Sequence, residues 1–188
     1  MAAAGELVYH QGVERTTLAD IAEATDVRVG NIYYYFKTKD EILAAVMQAR
    51  VGQLEAAFAG LEREHRDAGT RLKALVGIIA EQRGPIAQFG CPYGTLCSEL
   101  VKRGDGAELL AARLMRVVLG WVEQQFRLMG RRDAHDLAME FVAAYQGSAV
   151  LTSALGQPEL MVRHAQRLER WLDALATDGA SRQSEQEG

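Results

Sequence analysis

The side chains best suited to chemistry crowd into one stretch, Val27-Arg-Val-Gly-Asn-Ile-Tyr-Tyr-Tyr-Phe-Lys-Thr-Lys39. From Arg28 to Lys39 it holds three bases and no acid, and tyrosine hydroxyls and an amide lie between them. That pattern is suited to gripping phosphates along one edge. The surroundings are acidic: residues 1–52 carry five bases and seven acids. The whole chain of 188 residues has 21 Lys+Arg against 25 Asp+Glu, a formal charge of −4. A polycation that coats nucleic acid is thereby excluded. The nonspecific electrostatic attraction is weak, so selectivity must come from contacts in a groove.

Other chemistries find little support. Cys91 and Cys97 lie six residues apart across an expected helix start, so they project in different directions and are poorly placed for disulfide geometry; small buried apolar residues are the commoner fate of free cysteine. The four histidines, at 10, 65, 135 and 164, pair with no Cys or carboxylate at a metal-ligand spacing. No Ser-His-Asp set, nucleophile elbow or phosphate-cradling glycine loop is visible. No enzymatic activity, metal or cofactor is expected. No apolar run approaches the roughly 18 residues of a membrane span, and the start lacks the basic and then apolar segments of a secretory signal. The expectation is a soluble, cytoplasmic protein.

The elements that must position the strip read as helices. Hydrophobic residues are 48% and charged residues 24% of the chain, the balance of an ordinary folded globule. Only 3 prolines occur, and Ala, Leu, Glu, Arg and Gln, all good helix formers, dominate. Apolar residues recur every three or four positions, as in Leu110-Leu114-Val117-Trp121, Met161-His164-Leu168-Trp171-Leu175 and Leu43-Met47-Leu54-Phe58-Leu61, the last interrupted by Arg50. The fold class is all-α, with about nine helices. Gly84-Pro85 and Gly90-Cys91-Pro92 punctuate the middle. Short helices with tight turns occupy residues 1–46 as a three-helix module, a larger helical body follows over 47–176, and 177–188 is expected to be a disordered tail.

Within the module, Thr17 stands where an N-cap belongs and Asp20 suits the acidic half of a capping box. Leu18, Ile21 and Ala22 face one side of a short helix, Thr25-Asp26-Val27 turns, and Val27 should plug the angle between helices. Ile32 and Phe36 form the buried stripe of the next helix. Arg28, Val29, Asn31, Tyr33 and Tyr34 are left on or near its outer surface. This is helix-turn-helix logic, with the second helix available to the major groove. Three consecutive tyrosines span about 200° of a helix, so they cannot all be buried; Tyr35 stays open between packing and phosphate, and Lys37 reads as solvated surface.

The succession Thr17-Leu-x-x-Ile-Ala, a turn, Val-x-x-Gly-Asn-Ile-Tyr-Tyr-Tyr-Phe and Lys-Thr-Lys-Asp-Glu-Ile-Leu closely resembles the N-terminal domain of TetR-family transcriptional regulators over about residues 7–46. Gly90-Cys-Pro-Tyr-Gly-Thr-Leu-Cys-Ser-Glu99 is similar to a segment of some members' ligand-binding domains. One departure is a short first helix, of which only Ala2 to Gln11 remain; loss of DNA binding in a helical ligand-binding protein is the competing expectation. The resemblance implies a homodimeric, sequence-specific regulator, a repressor of a palindromic double-stranded operator. It implies phosphate contacts at Thr17, Tyr33, Tyr34 and Lys39, and base-edge approaches by Arg28, Val29 and Asn31. Arginine favours guanine and asparagine adenine in the major groove.

The C-terminal body is then expected to bind a small effector that releases the operator. Phe58, Phe89, Tyr93, Trp121, Phe141 and Tyr145 could line its cavity, although any one of them serves equally as ordinary core. The lack of a charge cluster on these stripes suggests a mostly apolar or aromatic effector. Small residues at Ala144, Gly147 and Ser148, with Leu151 beside them and Leu168, Trp171 and Leu172 on the last helix, would build a four-helix dimer interface. The same faces could instead close the core of one chain.

Overall fold

The structure is a computed structural model that describes residues 2–104 and 106–186, with side chains described through Thr177. Every regular element among these residues is a helix, as the spacing of apolar residues requires: α1 (Ala2–Gln11), α2 (Leu18–Ala24), α3 (Val29–Tyr35), α4 (Lys39–Glu64), α5 (Ala68–Glu81), α6 (Arg83–Phe89), α7 (Gly94–Arg103), α8 (Glu108–Leu128), α9 (Ala134–Leu155) and α10 (Pro158–Gln186). None of the described helices is long and apolar enough to cross a membrane.

Two differences from the sequence reading have plain causes. The Gly84-Pro85 pair opens a helix, α6, where a break was expected. Proline is the third residue of that helix, where its missing N–H would have had no intrahelical partner in any case. The helix α10 continues through Gln186 in place of a tail beginning at Thr177. Ala, Arg, Gln and Glu there carry little helix penalty, whereas Gly179 costs about 1 kcal/mol; the side chains after Thr177, and Glu187 and Gly188 altogether, lie outside the described residues.

The chain divides into two compact units. The first comprises residues 1–56 and 92–117. Its helix-turn-helix core is Ala4, Ile21, Ala22, Ile32, Ile42 and Val46, with Leu7, Leu18 and Phe36 packed against it. Ala22 is 2% exposed, and its small side chain sits in that shared core. Arg50, which interrupts the apolar stripe of α4, is drawn in by a 2.9 Å ion pair with Glu6 of α1. From α7, Leu96, Cys97 and Leu100 are buried, as are Ala111 and Leu114 from α8.

The second unit comprises residues 57–91 and 118–188. There α10 packs on α5, α9 and α6, and α6 packs on α9. Phe126 forms edge-to-face contacts with Phe141 and Trp171, with ring centroids 6.5 and 5.8 Å apart. Such geometry adds about 0.5–1.5 kcal/mol beyond area burial. Arg71 holds the α4–α5 connection by donating to the carbonyls of His65 and Arg66, and its Nη1 also donates to the buried Gln125 Oε1. Asp67 caps α5, accepting from Thr70 N–H at 2.8 Å and Thr70 Oγ1 at 2.6 Å.

Candidate nucleic-acid interface

The capping box read from Thr17 and Asp20 is present in both directions. Thr17 Oγ1 accepts from Asp20 N–H at 3.1 Å, and Asp20 Oδ2 accepts from Thr17 N–H at 2.8 Å. The Thr17 backbone N–H, then its side chain, hold the Asp20 carboxyl below the ordinary carboxylate range. Thr17 remains exposed.

The turn between α2 and α3 is closed by the backbone. Asp26 N–H donates to Glu23 O at 3.2 Å and Val27 N–H to Ala22 O at 3.0 Å, with Asp26 in the left-handed region at φ 53°. This is a Schellman ending with aspartate where glycine is usual, and aspartate tolerates that conformation better than most residues. Val27 was expected to plug the interhelical angle. It stays 38% exposed, and the turn is closed by the two backbone hydrogen bonds.

Helix α3 buries Ile32 alone. Its outer surface is what the spacing required: Arg28 and Asn31 are exposed, Val29 is 42% exposed, Tyr33 51% and Tyr34 73%; Tyr35, which the spacing left open, is 74% exposed. Tyr35 is therefore free of the core and instead meets Tyr34 edge-on at 5.1 Å. Lys37 is more than solvated surface. Its ammonium donates to the carbonyls of Tyr33 and Tyr34 at 2.9 and 3.1 Å, capping the end of α3, and lies 5.7 Å from the Tyr34 ring centroid. Lys39 Nζ donates to Glu14 O at 3.0 Å. The structure thus brings Arg28, Val29, Asn31, Tyr33 and Tyr34 onto one exposed short helix, with Thr17 and Lys39 opening the helices on either side of it.

The aromatic residues expected to line a ligand cavity fall mostly in the second unit. Phe58 stacks on Trp121 at 4.3 Å between centroids and 7° between planes, and Trp121 Nε1 donates to Glu62 at 2.9 Å. Phe141 is 2% exposed and Tyr145 8%; the Tyr145 hydroxyl donates to Cys91 Sγ at 3.0 Å. Phe89 is half-buried; Tyr93, also half-buried, belongs to the first unit. Of the residues expected at a dimer face, Gly147 and Leu151 are exposed, Ala144, Ser148 and Trp171 are half-buried, and Leu168 and Leu172 are buried within their own chain. The last two close the core of their own chain, since α10 turns that side onto α5, α6 and α9. Two polar groups are buried without hydrogen-bond partners: Thr152 Oγ1, which sequence reasoning passed over, and Nε2 of His164, which it placed on an apolar stripe. Burial, and then Arg167, push the His164 imidazole below its ordinary pKa.

A helix-turn-helix whose second helix is exposed, basic at both ends and lined with hydroxyls defines a DNA-binding protein. Comparison with known proteins agrees. The family model described as bacterial regulatory proteins, tetR family, matches residues 1–46. The HTH-type transcriptional regulator TtgR of Pseudomonas putida is 47% identical over 155 residues, 77% of this chain and 74% of that protein. An uncharacterized HTH-type transcriptional regulator in the lacX 3′ region of Lactococcus lactis is 28% identical over 102 residues, and the alignment spans about half of that protein, 52%. A crystal structure of a TetR-family transcriptional regulator from Agrobacterium tumefaciens has the same fold, with a TM-score of 0.78 at 19% identity, covering 90% of this chain and 93% of that one. The chain belongs to the TetR family of DNA-binding transcriptional regulators, which are not enzymes.

Proposed function

We propose that the protein is a cytoplasmic homodimeric repressor that binds a palindromic operator and is released by a small, mostly apolar or aromatic effector held in its C-terminal unit. The observation that carries the DNA half of this reading is the exposure of Tyr33, Tyr34 and Tyr35 together on a helix flanked by Arg28 and Lys39. An unliganded globule has no reason to present three adjacent tyrosines to water. Phosphate contacts are assigned to Thr17, Tyr33, Tyr34 and Lys39, and base reading to Arg28, Val29 and Asn31.

Support for the dimer comes from α9. Met139, Val150, Leu151 and Leu155 are each between 47% and 63% exposed, and Gly147 lies among them in mid-helix with nothing within 4 Å of an added Cβ. A mid-helix glycine costs about 1 kcal/mol against alanine, and packing within one chain gives no reason for it. A second copy approaching closely does. Support for the effector comes from the Phe58–Trp121 stack and from the unpartnered Thr152 hydroxyl and His164 nitrogen, which suit a largely apolar molecule with few polar groups.

The test is DNA binding by the full chain to duplexes selected from random sequence, followed by Tyr34→Ala and Lys39→Ala. Each variant should weaken binding while leaving helicity and dimerisation intact. Lys39→Ala should also flatten the dependence of log K on log salt by roughly one phosphate contact. Unchanged affinity in both variants at two salt concentrations refutes the assignment.

A further inference from the structure

The loop that carries Thr17 is held from a helix 86 residues away in sequence. Glu99 Oε2, on α7, accepts the backbone N–H of Val13 at 2.5 Å. This amide follows the end of α1, where the chain turns and the helical ladder supplies no partner. The turn is made by Gly12, at φ 86°. A Cβ built there would lie 3.1 and 3.3 Å from the two Glu99 carboxylate oxygens, tighter than ordinary contact. Gly12 is thus required twice, for its left-handed backbone and for the approach of the carboxylate.

The connection continues toward the proposed DNA surface. Thr16 Oγ1 donates to Gly12 O at 2.7 Å, closing the loop on itself. Val13 and Thr16 are 0% and 1% exposed, so the closed loop is fixed inside the protein. The next residue is Thr17, the N-cap of α2. One turn further along α7, Arg103 Nη2 pairs with Asp40 at 2.6 Å, beside Lys39 at the start of α4. Glu99 and Arg103 are four apart and share a face of α7.

We propose that Glu99 is a positioning residue for DNA binding: by holding the Val13 amide against Gly12, α7 sets the placement of the loop that presents Thr17. The inference rests on the DNA-binding reading above. Glu99 touches no DNA itself, and its charge gives the test a clear sign. Removing a carboxylate from a DNA-binding unit should, by charge alone, tighten binding. Loss of positioning should weaken it.

The experiment measures affinity of the full chain for a duplex that the parent recovers from random DNA, at a temperature where each variant's thermal melt shows it folded. Glu99→Ala is expected to lose about tenfold in affinity, as for one hydrogen bond to a charged group, with an unchanged salt slope because no cation is lost. Glu99→Gln, which keeps an acceptor oxygen, should lose less. Gly12→Ala attacks the same contact from the other side, so combining it with Glu99→Ala should be no worse than the weaker-binding single variant. Parent-like or tighter binding by folded Glu99→Ala, or losses that multiply in the double variant, overturns the proposal. A parent that recovers no duplex overturns the DNA-binding reading, and the role of Glu99 with it; a parent that binds beside an equally binding Glu99→Ala overturns the role alone.

Discussion

Truncating Leu151 to alanine tests the dimer at its most informative point. Leu151 is 58% exposed on α9, so its side chain contributes little to the folding of one chain, and surface changes of this kind stay within about 0.5 kcal/mol. Fully burying a leucine is worth about 1.5–3 kcal/mol. If a second copy covers the exposed 58%, the side chain contributes about 0.9–1.7 kcal/mol per protomer. A two-fold interface presents each residue twice, so Leu151→Ala removes about 2–3.5 kcal/mol per dimer, a rise in the dimer dissociation constant of roughly 20- to 300-fold. Sedimentation analysis across a concentration series reads this directly, with the thermal melt of the dilute protein as control. An unchanged dissociation constant in Leu151→Ala refutes the placement of the interface, and a parent that stays monomeric at all concentrations refutes the dimer.

Three further outcomes are expected. Asn31→Ala should relax sequence preference more than it lowers overall affinity, since a base-edge pair is worth about 1–3 kcal/mol of discrimination; site selection from random DNA that returns the parent's motif at equal stringency removes Asn31 from base reading. Asp67→Ala should destabilise the fold by about 1 kcal/mol at neutral pH as the cap of α5 is lost. The Thr70 hydroxyl, then its N–H, lower the Asp67 pKa, so this contribution is present above the unfolded carboxylate value and fades as pH falls through the lower folded one; urea melts whose parent–variant gap stays constant from about pH 5 to pH 2 contradict it. An effector that releases DNA must bind the DNA-bound dimer more weakly than the free dimer by the same factor, and a 100-fold effect corresponds to about 2.7 kcal/mol of coupling per site; equal calorimetric affinities with and without saturating operator rule out the linkage.

The local parts of this structure are legible in the sequence because their causes are local. The Thr17–Asp20 capping box depends on side chains three residues apart, and the burial of Ile32 against exposed Tyr33 and Tyr34 depends on one helical period. Leu43, Met47, Leu54, Phe58 and Leu61 are all buried as their stripe requires. What is not legible depends on partners distant in sequence. Nothing near Glu99 announces that it will receive the Val13 amide, and nothing near Arg103 points to Asp40; only the left-handed demand at Gly12 leaves a trace, a glycine just past a helix end. Leu168 and Leu172 fit a dimer seam and an internal core equally well by period. Which of these they serve is decided by where α5, α6 and α9 lie, and that is a tertiary fact.

The acidic balance of the chain and the bases that flank α3 are reconciled by how the cations are held. Lys37 spends two of its three N–H donors on the carbonyls of Tyr33 and Tyr34, and Lys39 spends one on Glu14 O. A carbonyl carries no net charge, so the group that orients each lysine does not form an ion pair with it. Lys39 retains two donors, while Lys37 retains one beside the Tyr34 ring. A lysine already fixed in place loses less side-chain entropy when it meets a phosphate, and about 0.5–1.5 kcal/mol per immobilised side chain is at stake. Arg103 meanwhile pairs with Asp40, the carboxylate next in sequence to Lys39, and so reduces repulsion where a phosphate would approach. A chain of net charge −4 can then bind a polyanion through few cations, provided that each is oriented beforehand and the acids nearest to them are paired.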